Sequence, residues 1–265
     1  MHDDELIHFE AEGVVLPDIG VQGYIEHDGA RIWYAAFGAG LPIILLHGGL
    51  GHSGNWGRQV PALVEHGYLP IVIDSRGHGR STRDERPYSY ELMVSDVLAV
   101  MDALKIERAA LIGWSDGACI SLILADQHPE RVAGVFFFAC NMDPSGTKEF
   151  EFTPILGRCI ARHKLDYARL SVTPDGFDDF SNAVGVMQST QPNYSADDLT
   201  RIQVPVTVVQ SEFDEFIKQE HAEYLAQTIP GATLVLLPGV SHFAPLQRPE
   251  QFNRTVFDFL KNIGF

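Results

Sequence analysis

The chain has 265 residues, of which 45% are hydrophobic and 20% are charged, and its formal net charge is −16. This length suits one α/β domain with a large core, and the composition excludes a disordered chain. The acidic balance argues against a nucleic-acid surface or an anionic-membrane surface, because both need clustered lysines and arginines.

The cysteines and the apolar runs argue against a disulfide-rich, secreted or membrane-spanning protein. Cys119, Cys140 and Cys159 are widely spaced and form no CxxC motif, so we expect buried free thiols rather than disulfides or a thiolate metal site. The N-terminal MHDDELIHFE lacks the apolar core of a secretory signal, and the longest apolar runs are only strand-length. We therefore expect a cytoplasmic protein without a membrane span.

The first 140 residues alternate strand-like and helix-like segments. Polar and apolar residues alternate around His27-Asp28-Gly29, which predicts a β-hairpin. Continuous apolar runs then predict strands that are buried on both faces: LPIILL, YLPIVI, RAALIGW and RVAGVFFF. Helical patterns separate these runs, in NWGRQVPALVEHG, SYELMVSDVLAVMDALKI and the segment after Ser115. This alternation indicates βαβ units and a mostly parallel sheet.

The alternation stops between residues 141 and 203. This segment shows no clear buried strand, is rich in aromatic residues and contains helix-like stretches such as PILGRCIARHKLDYARL. Strand and helix patterns return in VPVTVVQSEF, KQEHAEYLAQTI, ATLVLLPG and PEQFNRTVFDFLKNI. We predict an α/β core domain of residues 1–140 and 204–265, interrupted by a helical cap of residues 141–203.

A serine stands between two glycines where the chain turns from a predicted strand into a predicted helix. The segment Gly113-Trp114-Ser115-Asp116-Gly117 fits G-x-S-x-G, the nucleophile elbow. A tight turn holds the serine clear of the sheet in a strained conformation, and the glycines remove Cβ atoms that would collide there. The pattern and its context together predict that Ser115 is a nucleophile.

A serine nucleophile needs a base, and the base needs a third group to orient it. Among eleven histidines, His242 is the best placed, because it follows the last predicted strand at the sheet edge where ligands bind in open α/β folds. Asp214 follows the preceding strand and completes the chain order Ser115, Asp214, His242. Glu212 and Glu215 lie beside Asp214 and remain alternatives for the acid.

The glycine-rich segment LLHGGLG, which ends an early predicted strand, supplies the expected oxyanion hole. The backbone N–H of Gly49 is expected to offer one hydrogen bond to the substrate oxygen, and the N–H of Asp116 the other. His47 is expected to brace this loop. Leu50, Trp114 and Phe243 flank these positions, so we expect them to line an apolar substrate pocket.

Two other sets of polar residues have competing interpretations. The Asp116 side chain would cap the first helical turn, which we favour, or attract the cationic amine of an amino-acyl ester. His163 and Asp166 are spaced for one helix face, but two possible ligands without further partners are typical of a solvated face. DSRGHGRS lacks the phosphate-loop pattern. Since neither a full set of metal ligands nor a phosphate loop is present in the sequence, we expect no metal and no cofactor.

Together these motifs resemble the α/β-hydrolase superfamily over about residues 20 to 263. His47-Gly48-Gly49 is similar to its oxyanion loop, and the segment from Asp74 to Ser81 is similar to its D-x-x-G-x-G-x-S turn. Within the superfamily, GWSDG and the compact cap look most like the valacyclovir hydrolase and enol-lactonase type. The resemblance implies a helical cap over the active site and a triad of Ser115, His242 and Asp214.

The resulting prediction is a cofactor-free serine hydrolase, monomeric or homodimeric, that cleaves a small or medium carboxylic ester or lactone through an acyl-enzyme. Carbon–carbon bond hydrolysis or acyl transfer with the same triad is one alternative. A lyase or cofactor-free oxygenase that uses mainly the His–Asp pair is another. A non-enzymatic small-molecule receptor on this scaffold is a third alternative, which a degraded triad would favour.

Overall fold

The fold is taken from a computed structural model that describes residues 4–265. The first three residues of the predicted core domain, among them His2, lie outside the described residues. The eight strands are β1 Val21–His27, β2 Ala30–Ala36, β3 Leu41–Leu46, β4 Tyr68–Ile73, β5 Ala109–Trp114, β6 Val132–Phe138, β7 Val206–Phe213 and β8 Thr233–Ser241. They form one sheet in the order β1-β2-β4-β3-β5-β6-β7-β8.

Ten α-helices accompany these strands within residues 4–265. They are α1 Leu6–Glu12, α2 Val60–Glu65, α3 Tyr90–Ala103, α4 Asp116–Gln127, α5 Pro154–Leu170, α6 Phe177–Thr190, α7 Ala196–Thr200, α8 Gln219–Thr228, α9 Ala244–Gln247 and α10 Pro249–Asn262. Short 3-10 turns lie at Ser53–Trp56, Pro129–Arg131 and Pro144–Gly146. None of these described helices is long and apolar enough to cross a bilayer.

The strand pairing confirms the predicted sheet. β1 and β2 form the antiparallel hairpin, and β2 pairs antiparallel with β4, whereas all the other neighbours are parallel. Asp28 and Gly29 both have positive φ angles, of 41° and 80°, which a two-residue hairpin turn requires. Arg76 holds this turn in place, because its guanidinium donates to the Asp28 carbonyl at 3.0 Å and pairs with buried Asp96 at 2.6 Å.

The sheet separates two hydrophobic clusters, which explains the continuous apolar runs. In β3, Ile44 and Leu46 belong to one cluster while Ile43 and Leu45 belong to the other. Successive side chains of a strand point to opposite faces, so a strand covered on both sides must be apolar at every position. Every residue of β6 is buried for the same reason.

Residues 141–203 lie between β6 and β7 and contain α5, α6 and α7 but no strand of the described sheet. One isolated bridge joins Thr147 to Ile217. This stretch therefore has the helical character that the sequence predicts. The three cysteines are buried and form no disulfide, as predicted.

Candidate active site

Ser115 occupies a sharp turn between β5 and α4. Its φ and ψ angles are 54° and −123°, in the region of positive φ that is strained for a residue with a side chain. Its N–H donates to the carbonyl of Phe138 at 2.9 Å, which ties the turn to the end of β6. The residue is half-buried and lines a cavity beside the sheet. The turn thus presents the hydroxyl to that cavity.

The two glycines of the turn avoid collisions with different neighbours. A Cβ atom on Gly113 would collide with the backbone of Gly117 and Ala118, so Gly113 lets the helix pass close to its own strand. A Cβ on Gly117 would instead collide with the carbonyl of Leu46 in β3. The second glycine is therefore required by the neighbouring strand, a contact that the local sequence pattern does not indicate.

His242 and Asp214 follow the carboxyl ends of two adjacent strands, β8 and β7. The Nδ1 atom of His242 lies 3.1 and 3.0 Å from the two carboxylate oxygens of Asp214. The N–H groups of Phe216 and Ile217 also donate to Asp214, each at 2.9 Å, and hold the carboxylate in this orientation. His242 lines the same cavity as Ser115, so the structure brings all three predicted residues to one rim of the sheet.

Asp214 and the two neighbouring acids have different hydrogen-bond partners in the structure. The exposed Glu212 accepts a hydrogen bond from the N–H of Gly239 at 2.8 Å. Glu215 accepts one from the backbone N–H of His242 at 2.9 Å. Asp214 is the acid whose carboxylate contacts the imidazole, while Glu215 holds the backbone that carries it.

The surroundings of His242 favour its protonated form. Burial by itself lowers the pKa of His242, but the charge and hydrogen bond of Asp214 outweigh burial, and Glu215 and Asp116 add smaller contributions. The pKa of His242 is therefore raised above its ordinary value. The rings of Trp114, Phe216 and Phe243 enclose the imidazole, with centroids 4.7 to 6.1 Å from it.

The loop after β3 lies against the turn that carries Ser115. Within residues 4–265, neither the Gly49 N–H nor the Asp116 N–H donates to another backbone or side-chain group. Leu50, the next residue, has a φ of 62°, a strain of the kind found at functional loops. His47 braces the loop as expected, because its Nδ1 bonds the Gly48 carbonyl at 2.8 Å and its Nε2 accepts the Ser75 N–H at 3.0 Å.

A cavity of about 410 Å³ opens over Ser115. Leu50, Trp114 and Phe243 all line it, as the sequence predicts. Other lining residues were missed because they come from distant segments: Asn55 and Tyr90 from the core, and Ile160, His163 and Gln188 from the helices between β6 and β7. No local motif marks them, since helical periodicity identifies a buried face without showing which cavity it meets.

The Asp116 side chain has partners that the sequence does not indicate. It makes no hydrogen bond that caps α4, so the interpretation that we favoured is wrong. Its carboxylate instead accepts the Tyr90 hydroxyl at 2.9 Å and the Gln188 amide at 3.0 and 3.1 Å. Burial raises the pKa of this carboxyl group, although the two donors oppose that effect. The contact joins the turn that carries Ser115 to α6.

The interpretation of His163 and Asp166 as a solvated helix face is also wrong. Both side chains are buried, because this face of α5 packs onto α1 and the turn Ser53–Trp56. Burial raises the pKa of Asp166, but hydrogen bonds from His52 and Arg162 outweigh it and bring the pKa to about 2. Among residues 4–265, no three His, Cys, Asp or Glu side chains are grouped so that they could hold a metal ion.

Comparisons with known proteins agree with this architecture. A family model for the alpha/beta hydrolase fold matches residues 42–152. Serine hydrolase BPHL of Mus musculus is 27% identical over 255 residues, which cover 88% of this chain and 84% of the relative. The putative carbamate hydrolase RutD of a Caulobacter species is 30% identical over 241 residues, which cover 82% of this chain and 90% of the relative.

A solved structure shows the same likeness in three dimensions. Est816, described as an N-acyl homoserine lactone degrading enzyme, is 30% identical and superposes with a TM-score of 0.72, covering 89% of this chain and 100% of the other. This chain therefore belongs to the α/β-hydrolase fold family and is a hydrolase.

Proposed function

We propose that this hydrolase cleaves a small or medium carboxylic ester or lactone, with Ser115, His242 and Asp214 as its catalytic triad. The observation that carries the proposal is the shared cavity: Ser115 reaches it from a strained turn, and His242 reaches it while bonded to Asp214. The relative BPHL is a serine hydrolase, and Est816 degrades a lactone, which supports the same class of reaction here.

In the proposed mechanism, the Ser115 oxygen attacks the substrate carbonyl while His242 takes its proton. Asp214 holds the ring by Nδ1, which leaves Nε2 as the atom that exchanges protons with the serine and the leaving group. Departure of the alcohol, or ring opening of a lactone, leaves an acyl-enzyme. His242 then activates water, which releases the acid and restores the serine.

The proposed oxyanion hole consists of the N–H groups of Gly49 and Asp116. Both are free of partners in the described chain, and the first lies on a braced loop while the second begins a helix. Each such donor contributes about 3 kcal/mol to transition-state stabilisation in comparable sites. The bracing by His47 supports this role, because a donor that is already in place pays no reorganisation cost during the reaction.

We also propose that residues 141–203 form a cap over a core of residues 1–140 and 204–265. Helices α5 and α6 contribute one wall of the cavity, through residues such as Ile160 and Gln188. The wall opposite Ser115 thus comes from the segment between β6 and β7. In this arrangement the core supplies the reacting groups and the cap sets the size of the acyl group.

A panel of p-nitrophenyl esters and lactones tests the proposal with the wild type and the Ser115→Ala variant. Removal of the hydroxyl should lower kcat by roughly 10⁴-fold or more, because no acyl-enzyme can form. Ser181 lies in the same cavity on α6 and provides the matched control. Ser181→Ala removes the same atom from the same cavity but should keep kcat within about threefold, because Ser181 is not one of the proposed reacting groups.

Covalent trapping gives an independent measurement. A fluorophosphonate should add its mass to the wild type and to Ser181→Ala but not to Ser115→Ala. Full activity of Ser115→Ala would refute the proposed mechanism. A wild type that binds esters without turning them over would instead favour the receptor alternative, and turnover of a dienoic ketone in preference to all esters would favour carbon–carbon cleavage.

A further inference from the structure

His163 on α5 is a buried imidazole without a hydrogen-bond partner. Its side chain lines the active-site cavity and is only 5% exposed. Neither ring nitrogen bonds to another of residues 4–265, and Nδ1 is shut off from solvent. Burial lowers the pKa of His163 to about 3, so the ring is neutral and carries one donor and one acceptor. Buried polar groups are nearly always satisfied, so this one requires an explanation.

Two more residues of the same cavity carry unsatisfied polar atoms. The Nδ2 of Asn55 and the Nε1 of Trp114 are both buried and have no hydrogen-bond partner among residues 4–265. Each of these atoms is a donor only. The Oδ1 of Asn55 is already used, because it accepts the backbone N–H of His52 at 3.0 Å. Asn55, Trp114 and His163 therefore all line this cavity, and each has a polar atom that no hydrogen bond uses; we call these three residues the polar wall.

The contacts around the polar wall show where it lies. His52, three residues before Asn55, contacts Asp166 at 3.4 Å, and Asp166 is one helical turn from His163. The turn Ser53–Trp56 and helix α5 are therefore held together beside the cavity. The loop that begins at Gly48, against Ser115, runs on to Gly51, which packs on the Asn55 amide. This loop thus connects the surroundings of Ser115 with the polar wall along one side of the cavity.

The charges near the polar wall select an uncharged ligand group. Asp166 is bonded by Arg162 at 2.6 and 3.1 Å, so the nearest guanidinium is already paired with a carboxylate. The three wall residues are themselves neutral, with two certain donors and one imidazole that provides a donor or an acceptor. Such a set matches a neutral oxygen that accepts hydrogen bonds, because no Lys or Arg is among the described residues that line the cavity to compensate a carboxylate.

We propose that Asn55, Trp114 and His163 form a subsite for a neutral acceptor oxygen, such as a ketone, ether or amide carbonyl, on the acyl chain of the substrate. The oxygen lies apart from the scissile carbonyl. This inference rests on the proposed function for its acyl substrate but not for the binding itself. It explains why a cavity with mostly apolar walls keeps three unsatisfied polar side chains.

Matched esters test the subsite. We compare p-nitrophenyl hexanoate with its keto analogue, in which a carbonyl replaces one methylene of the chain. The wild type should show a kcat/KM for the best-placed keto ester roughly tenfold above that for the plain ester, because the added hydrogen bonds replace unsatisfied groups. The ratio of the two values should fall towards one in His163→Leu and in Asn55→Leu.

His8→Leu is the control, since it makes the same substitution at an exposed histidine of α1. Its ratio should equal that of the wild type. Thermal unfolding establishes that each variant is folded, and the wild-type ratio remains informative if a variant is not. Equal kcat/KM for plain and keto esters at every chain position in the wild type would overturn the proposal, as would an unchanged ratio in both wall variants.

A binding measurement separates this inference from the proposed function. Calorimetry with Ser115→Ala compares the amide of hexanoic acid with the amides of its keto analogues, none of which requires turnover. Tighter binding of a keto amide by roughly tenfold, lost in the Ser115→Ala/His163→Leu double variant, supports the subsite even if no ester is hydrolysed. Equal dissociation constants for plain and keto amides would refute the subsite even if esters are hydrolysed.

Discussion

Glu215 shows how a single side chain can act on the site without touching the substrate cavity. One carboxylate oxygen accepts the backbone N–H of His242, and the other is buried without a partner. Burial raises the pKa of Glu215, although the nearby His242 opposes this. The residue therefore positions His242, the proposed base, and also places a negative charge near the imidazole, where it stabilises the protonated form.

Replacing this charge should change the pH dependence of the reaction. Glu215→Gln keeps an oxygen that can accept the His242 N–H but removes the negative charge. The pKa of His242 should fall, so the acidic limb of the kcat/KM profile should move to lower pH. At high pH, where the imidazole is neutral in both proteins, kcat/KM should stay within about threefold. Rates measured from pH 5 to 9 establish both outcomes.

Glu212 provides the matched control for this prediction. Glu212→Gln removes the same charge from an exposed carboxylate that bonds Gly239 rather than His242. Its acidic limb should coincide with that of the wild type. An identical limb in Glu215→Gln would show that the charge of Glu215 does not reach the base.

At the scale of elements, the turn between β5 and α4 depends on how closely three elements approach. Helix α4 packs against β5, β6 and β3, and ten of its twelve residues are buried. Gly117 lies where the helix passes the end of β3, and Leu46 and His47 leave no space there for a side chain. The position of Ser115 is thus set by the packing of α4 against the strands as well as by the turn.

Substitution of this glycine should destabilise the fold. Gly117→Ala places a methyl group against backbone atoms that cannot move aside, so the free energy of unfolding should fall by about 3 kcal/mol or more. Gly185→Ala is the contrasting variant, because Gly185 lies inside α6 with no atom near its Cβ position. That change should raise the free energy by about 0.5–1 kcal/mol. Urea unfolding of both variants gives the comparison, and equal midpoints would contradict the packing argument.

Helix α1 is an element that the sequence did not indicate. Its seven residues include Leu6 and Phe9, which are buried, but the segment is acidic and too short for a recognisable period. Phe9 packs edge-on against the His163 ring, with centroids 5.7 Å apart. The helix is stable because of its contacts with α5 and α9 rather than its own propensity, as is usual for so short a segment.

At the scale of the whole molecule, several buried histidines make the fold sensitive to acid. Burial lowers the pKa of His47 to about 4 and the pKa values of His78 and His163 to about 3. Their ordinary value is 6.5, so the unfolded chain binds protons between about pH 6.5 and 4 that the folded chain does not. The free energy of unfolding therefore falls as the pH decreases through this window.

Between pH 7 and pH 5, the three histidines together should lower the free energy of unfolding by an amount on the order of 5 kcal/mol. His242 opposes this loss, because its raised pKa stabilises the folded protein as the pH falls. Urea unfolding at both pH values measures the net change. His163→Leu should reduce the loss by about a third, because one of the three proton-binding differences is removed. His8→Leu, at an exposed position, should leave the loss unchanged. Equal free energies at pH 7 and pH 5 in the wild type would contradict this account.

The sequence by itself determined the alternation of strands and helices, the turn at Ser115 and the chain order of the three proposed catalytic residues. These features depend on local periodicity and on side chains that must follow strand ends, so neighbouring residues suffice to recognise them. The predicted hairpin, the parallel strands and the helical segment before β7 accordingly agree with the structure.

Only the tertiary structure decided which side chains share the cavity and which partners they have. Asp116 bonds to Gln188, 72 residues away, and Gly117 is required by β3. His163 and Asp166 face the core although their spacing is equally compatible with an exposed face. Periodicity shows that a helix has two faces, but the choice between them depends on the shape and charge of distant segments, which meet only when the chain is folded.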